Sequence, residues 1–214
     1  MFLKSTVAIV ILFLHALYGG MAKRLRQKPA KLRSPVRIWV PPFFTYSKMT
    51  LFVVSTPIGN LQDLTFRAKE VLSFCDVILC EDTRQTKKLL HHYQIDAKLE
   101  SFFQHNESQK EDEVICLLQK GKSIALVSDA GTPLLSDPGL LLVQRCHKEG
   151  IKVEPISGPS AILASLVISG FCPIPFQFLG FIPKKHLEQK QFLELALEYP
   201  GTSILFESIH RIYS

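Results

Sequence analysis

The 214-residue chain predicts an α/β fold, a mostly parallel sheet flanked by helices followed by a second α/β domain. Three observations predict it. Short apolar runs of strand length alternate with stretches of helical period, the pattern of parallel strands joined by crossover helices. Loops rich in Gly, Pro, Ser and Asp follow three of those runs. A content of 47% apolar and 21% charged residues supplies a sizeable core and excludes a disordered, collagen-like or low-complexity chain.

Leu51–Val54, Val77–Cys80, Ile124–Val127 and Ile204–Phe206 have the length and composition of strands. Leu64, Ala68, Val71, Leu72 and Cys75 recur at helical spacing, with Asp63 placed to cap the start. From Glu107 to Lys120, acids fill the first turns, Val114, Leu117 and Leu118 give a buried stripe, and Gly121 stops the helix. Asp137-Pro138 reads as a cap followed by proline at the first helical position, opening a helix through Leu140–Cys146 that ends at Gly150. A strand over Ile151–Ile156 follows, weakened at its end by Pro155. Pro173 and Pro175 then break the pattern, and Phe176–Phe181 starts a new strand. The expected organisation is a basic leader over 1–48, an N-terminal α/β domain over 49–171, and the beginning of a C-terminal α/β domain over 172–214.

The net charge of +6 divides unevenly. Nine of the 25 basic residues (Lys4, Lys23, Arg24, Arg26, Lys28, Lys31, Arg33, Arg37 and Lys48) fall in 1–48, which holds no acid. The rest of the chain carries 16 basic against 19 acidic residues, so its net charge is −3 and gives no general support to nucleic-acid binding. The leader's apolar run, Val7–Tyr18, would reach about 18 Å as a helix, short of the roughly 30 Å of a hydrocarbon core. It is expected to be disordered or a start placed too early, in preference to a signal or transit peptide. Cys75, Cys80, Cys116, Cys146 and Cys172 make an odd set without Cys-x-x-Cys. They read as free thiols of a reducing cytoplasm, with Cys80, Cys116 and Cys146 inside apolar patterns. No metal site is expected: His91 and His92 are adjacent and diverge on a helix.

In open parallel sheets ligands bind in loops at the carboxyl ends of strands. Three such loops stand out: Ser55–Leu61, Ser128–Gly139 and Ser157–Ala161. Each carries glycine, which lets backbone approach a ligand, and hydroxyl or amide groups nearby. They are not dinucleotide fingerprints, phosphate loops, nucleophile elbows or zinc-protease motifs.

Thr56-Pro57-Ile58-Gly59-Asn60-Leu61, Glu81-Asp82-Thr83-Arg84, His105-Asn106-Glu107, Ser128-Asp129-Ala130-Gly131-Thr132-Pro133 and Ser136-Asp137-Pro138-Gly139 occur in order. Gly158-Pro159-Ser160-Ala161, Gly180-Phe181-Ile182-Pro183 and Phe206-Glu207-Ser208-Ile209-His210-Arg211 follow. Together they resemble the ribosomal RNA small-subunit methyltransferase I family, of the tetrapyrrole methylase superfamily, over about Leu51–Arg211. The resemblance implies two α/β domains with S-adenosylmethionine between them. It also implies 2′-O-methylation of a cytidine ribose in 16S rRNA of the small ribosomal subunit, by a cytoplasmic homodimer with no membrane segment. On that basis Pro57, Ile58, Gly59, Asn60, Asp129, Ala130, Gly131, Thr132, Ser157, Gly158, Pro159, Ser160 and Ala161 would bind the cofactor. Asp82, His105 and Glu207 are candidates to accept the hydroxyl proton. Arg84, Lys87, Lys88, Asn106, His210 and Arg211 are candidates to hold RNA. For Asp82 and Asn106 the competing expectation is a helix cap, and for Glu81–Arg84 a local ion pair.

Two departures accompany the resemblance. Ile209 stands where the family usually has proline or a small polar residue, and the chain stops at Ser214, where members continue. A methyltransferase of tetrapyrrole precursors and an inactive remnant that only binds cofactor are the alternative functions. The Glu-Asp-Thr-Arg and His-Asn motifs favour the RNA enzyme.

Overall fold

The computed structural model describes residues 7–10, 48–103, 107–208 and 211. After β1 (Val7–Val10) come β2 (Thr50–Val54), β3 (Val77–Cys80), β4 (Leu99–Ser101), β5 (Ile124–Val127) and β6 (Lys152–Ile156). The last five form one sheet in the order β4-β3-β5-β2-β6, and every pairing in it is parallel. All residues of β3 and β5 are buried, as continuous apolar strands between two helical layers must be. Pro155 sits in β6, an edge strand, where a missing N–H costs no ladder bond on the open side.

Helices α1 (Phe66–Phe74) and α2 (Thr83–His92) cover one face. Phe52, Leu72, Ile78 and Ala125 lie in that core, with Leu89 and Leu90. Helices α3 (Glu107–Gln119) and α4 (Leu140–Lys148) cover the other face, around Leu51, Leu79, Leu118, Leu126 and Leu142. The chain leaves β2 through α1 toward β3 and leaves the adjacent β5 through α4 toward β6, on opposite faces. Their carboxyl ends are therefore a topological switch point, where a crevice opens between diverging loops.

A second sheet, in the order β1-β8-β7, pairs β7 (Phe176–Phe181) parallel with β8 (Thr202–Ser208) and β1 antiparallel with β8. Helix α5 (Ala161–Ile168) packs on this sheet through Ile162 and Leu166 against Ile204 and Phe206. Helix α6 (His186–Glu198) links β7 to β8, and Ser203 Oγ donates to its Ala196 carbonyl at 2.9 Å.

β1 falls within the 1–48 segment expected to be disordered or a start placed too early, and it pairs with β8. Four further local expectations change. Thr65 caps α1, its hydroxyl accepting from Ala68 N–H at 3.1 Å, while Asp63 closes a single 3₁₀ turn over Leu61–Asp63. Asp137 does not cap α4. The N-cap is Gly139, at φ 123°, because the loop reaches the helix through a left-handed residue. Cys116 is exposed, since α3 turns it away from the stripe that buries Val114, Ile115 and Leu118. β4 lies outside the predicted strands: it is a three-residue edge strand, half-buried throughout, and so shows no apolar run.

Candidate functional site

Backbone hydrogen bonds weld the three loops at the switch point. Thr56 N–H donates to Gly131 O at 2.9 Å and Gly131 N–H donates back to Thr56 O at 3.0 Å. Thr56 Oγ1 donates to Ser128 O at 3.1 Å, and Ser128 Oγ to Gly131 O at 3.2 Å. Thr132 Oγ1 reaches the third loop, donating to Pro159 O at 3.2 Å, and lies 3.2 Å from Ser55 Oγ. Ser55 N–H completes the contact through Ile156 O at 3.2 Å. Glycine is required twice. Gly131 takes φ 86° with a Cβ position 3.2 Å from Ile58 Cγ2, and a Cβ on Gly158 would sit 2.9 Å from Ser55 Cβ.

A cleft of about 610 Å³ opens above this seam, a volume suited to a nucleoside-sized ligand. Pro57, Ile58, Gly59, Asp129, Ala130, Gly131, Thr132, Ser160 and Ala161 line it. Four other predicted cofactor residues, Asn60, Ser157, Gly158 and Pro159, do not. Asn60 Oδ1 accepts from Gln62 N–H at 3.0 Å and caps the 3₁₀ turn, Gly158 and Pro159 brace the loops, and Ser157 is exposed. Ser160 also caps α5, its Oγ accepting from Leu163 N–H at 3.5 Å. Phe181 of β7 and Phe206 of β8 close the far wall, with their ring centres 5.5 Å apart.

The cleft is also acidic. Glu81, Asp129 and Asp137 line it, and Asp82 N–H donates to Asp129 Oδ1 at 3.1 Å. Burial raises the Asp129 carboxyl, and burial reinforced by Asp129 and Asp82 raises that of Glu81. Burial, then Glu81, then Asp129 push Asp137 up to about 6, against a hydrogen bond from Ser128 that favours its charge. Neither Asp137 nor Glu81 is among the site residues inferred from the sequence. The Ser-Asp-Pro-Gly segment carries the signature of a helix start, and that signature hides a residue turned into a cleft.

Asp82 has the capping and ion-pairing places considered for it. Its Oδ1 accepts from Arg84 N–H at 2.8 Å, and the Arg84 guanidinium grips both oxygens at 3.0 and 2.8 Å. That pairing holds the Asp82 carboxyl down at about 2. Lys87 and Lys88 are exposed on α2. Glu207 is buried, accepts from Ser208 N–H at 2.6 Å and lies 3.3 Å from Arg211 Nη2. Arg211 in turn donates to the Ile182 and Pro183 carbonyls at 3.0 and 2.9 Å, so this pair ties the end of β8 to the end of β7. Neither residue lines the cleft. His105, Asn106 and His210 lie outside the described residues. Among the described residues, no three His, Cys, Asp or Glu side chains are placed to hold a metal, and no helix is long and apolar enough to cross a membrane.

A family described as Tetrapyrrole (Corrin/Porphyrin) Methylases matches residues 50–214. Ribosomal RNA small subunit methyltransferase I of Halalkalibacterium halodurans is 48% identical over 165 residues, 77% of this chain and 57% of the relative. The protein of the same name from Bacillus subtilis is 46% identical over 162 residues, 76% of this chain and 56% of the relative. The chain thus spans less than two thirds of the length of these curated relatives. Among solved structures, uroporphyrin-III-C-methyltransferase from Thermus thermophilus aligns with a TM-score of 0.53 at 18% identity, over 76% of this chain and 69% of the other. A diphthine synthase aligns with a TM-score of 0.57 at 13% identity, over 76% and 65%. At those identities the likeness is one of fold.

Proposed function

The chain belongs to the tetrapyrrole methylase family, and on that premise we propose that its cleft holds S-adenosylmethionine for methylation of the 2′-hydroxyl of a cytidine in 16S rRNA. The observation that carries the reading is a cleft at a topological switch point lined both by three neighbouring carboxyls, Glu81, Asp129 and Asp137, and by apolar side chains. S-adenosylmethionine is a cation at its sulfonium and ammonium groups, and Asp129, Glu81 and Asp137 supply carboxylates for them. Its adenine suits the apolar surface of Ile58, Leu135, Phe181 and Phe206. The residues present therefore fit the group, which supplies an electrophilic methyl when bound. The relatives that match at 46–48% identity carry an rRNA methyltransferase name, and this favours RNA over a tetrapyrrole precursor as substrate.

The chain's own part is alignment and proton handling. The welded loops hold Gly131, Thr132 and Asp129 in fixed register, so that the acceptor hydroxyl meets the methyl in line. Of the three proposed proton acceptors, Asp82 and Glu207 are engaged in structural pairs, and His105 keeps its candidacy. Asp137, raised toward neutrality in the cleft, is the better-placed carboxylate to take the proton. Lys87 and Lys88, exposed on α2, are suited to RNA phosphates; Arg84 and Arg211 are tied to protein groups and would contribute charge from fixed positions. Asn106 and His210 complete the proposed RNA contacts. We further place the protein in the cytoplasm as a homodimer acting on the small subunit. Five free cysteines support a reducing compartment, and exposed Val167 and Ile168 on α5 support a second copy.

Transfer of labelled methyl from S-adenosylmethionine to small subunits lacking the modification, mapped by nuclease resistance at the ribose, tests the reading. Label at a cytidine 2′-oxygen is the expected result. Label in a tetrapyrrole precursor instead, or saturable cofactor binding without transfer, would overturn it.

A further inference from the structure

Glu107 opens α3 and is only 6% exposed, and its carboxylate reaches the start of another helix. Its Oε1 accepts the N–H of Gly139 at 3.1 Å and of Leu141 at 3.2 Å, the amides that begin α4. Those amides have no local partner among side chains, because the N-cap is a glycine. A carboxylate at a helix start is stabilised by the oriented peptide dipoles, and each such bond is charge-assisted.

The segment that ends at those amides is strained. Leu134 and Ser136 both lie at φ 72° and Gly139 at φ 123°, so three of six consecutive residues are left-handed and two of them carry side chains. Neighbours on each side restrict it. A Cβ on Gly139 would meet Leu126 Cδ2 at 2.5 Å, and Ser136 Oγ lies 3.3 Å from the Cβ position of Gly180 on β7. This segment brings Leu135, Ser136 and Asp137 into the cleft. A loop in that conformation persists only when its surroundings over-determine it. Glu107 is the group that fixes its far end.

We propose that Glu107 is a positioning residue of the cleft, whose buried carboxylate anchors the 134–139 wall and thereby places Asp137. The role rests on the cofactor reading of the cleft for its catalytic meaning and on the two hydrogen bonds for its mechanism. It also gives the third residue of the His-Asn-Glu motif a task separate from proton transfer or RNA contact.

The test uses the full chain with Glu107→Ala and Glu107→Gln, read by amide hydrogen exchange, by carbon NMR titration of Asp137, and by calorimetric binding of S-adenosylhomocysteine. In Glu107→Ala, Gly139 and Leu141 should exchange about tenfold faster or more, the loss of protection that removing charge-assisted bonds brings. The Asp137 midpoint should move, and affinity should fall about tenfold as the wall loosens. Glu107→Gln keeps an acceptor and the volume, so it should restore the Asp137 midpoint and most of the affinity, with only those two amides exchanging several-fold faster. Should the alanine variant fail to fold, the localised exchange change in the glutamine variant decides. Unchanged exchange at both amides, or an Asp137 midpoint and affinity untouched in a less stable Glu107→Ala protein, would overturn the proposal. If the unsubstituted chain does not bind S-adenosylhomocysteine, the cofactor reading fails, and the exchange and titration still judge the anchor.

Discussion

The two sheets that bound the cleft are built to different standards. The five-stranded sheet is covered on both faces, its central strands are wholly buried, and two separate cores flank it. Among the described residues, the three-stranded sheet has one small core cluster of four buried residues; its central strand β8 is buried from Thr202 to Glu207, but β7 is half-buried or exposed along its whole length. Polar function follows that division. The hydrogen-bonded loops and the carboxylates hang from the larger sheet, where a rigid base fixes their register, while the smaller sheet contributes aromatic surface through Phe181 and Phe206. A site that needs sub-ångström placement of charge gains from standing on the stiffer element, whereas an apolar wall tolerates more play.

Removing buried volume should give the largest contrast. Leu79 is fully buried in the second core of the larger sheet, and Leu79→Ala should cost about 3–4 kcal/mol through lost transfer energy and the cavity left behind. Phe178 is only partly buried against Phe206, their ring centres 4.7 Å apart, and Phe178→Ala should cost about 1–2 kcal/mol despite the greater volume deleted. Urea unfolding of both variants measures this. Equal losses would break the distinction between the sheets.

Gly158→Ala comes next. The new methyl would press on Ser55 Cβ at 2.9 Å and Ser55 O at 3.3 Å, and the backbone oxygen cannot rotate away. Overpacking of this kind costs about 1–3 kcal/mol, and here it also spreads the seam between two loops. Weaker binding of S-adenosylhomocysteine together with a lower urea midpoint is the expected outcome. A loss of stability with affinity intact would mean that the third loop does not set the cleft.

The contrast between the sheets also explains what could be read from the sequence. Continuous apolar runs such as Val77–Cys80 and Ile124–Val127 announce strands buried on both faces, and the structure has them at those bounds. β4 escapes because an edge strand of three half-buried residues leaves no pattern. The three loops are legible as a cluster, since glycine, proline and hydroxyl residues after strands point to one sheet edge. Which of their side chains face the cleft is not, because that depends on turns such as the left-handed Ser136. Asp137 and Glu107 show the difficulty from both ends. One has the signature of a cap and lines the cleft; the other stands in a motif of catalytic appearance and caps a helix 32 residues away.

Asp137 allows a test by pH. Its folded value of about 6 lies above the ordinary 3.8, so the folded state binds this proton more tightly than the unfolded chain does. The resulting stabilisation is complete below about 4 and is lost as pH rises through about 6. Replacing the carboxyl by an amide removes that loss. Asp137→Asn should match the unsubstituted protein near pH 4 and exceed its stability by on the order of 1–2 kcal/mol at pH 7.5, after allowance for partial solvent screening. Parallel stability curves for the two proteins would show that Asp137 is not held among the cleft carboxyls as described.

The cysteines report on the two sheets without changing either. Cys75, Cys80 and Cys146 are buried in the cores of the larger sheet, and burial pushes Cys75 to about 12 and Cys146 to about 11. Cys116 and Cys172 are exposed, the latter on the approach to the smaller sheet. At pH 8 a disulfide reagent should modify Cys116 and Cys172 promptly, and the other three only as fast as the larger sheet opens, because thiolate and access are both lacking. Leu79→Ala should accelerate the slow class in proportion to its loss of stability, and Phe178→Ala should leave that class nearly unchanged. Slow thiols that respond equally to both substitutions would mean that the sheets open together, and the stiffness of the larger one would then be no separate foundation for the site.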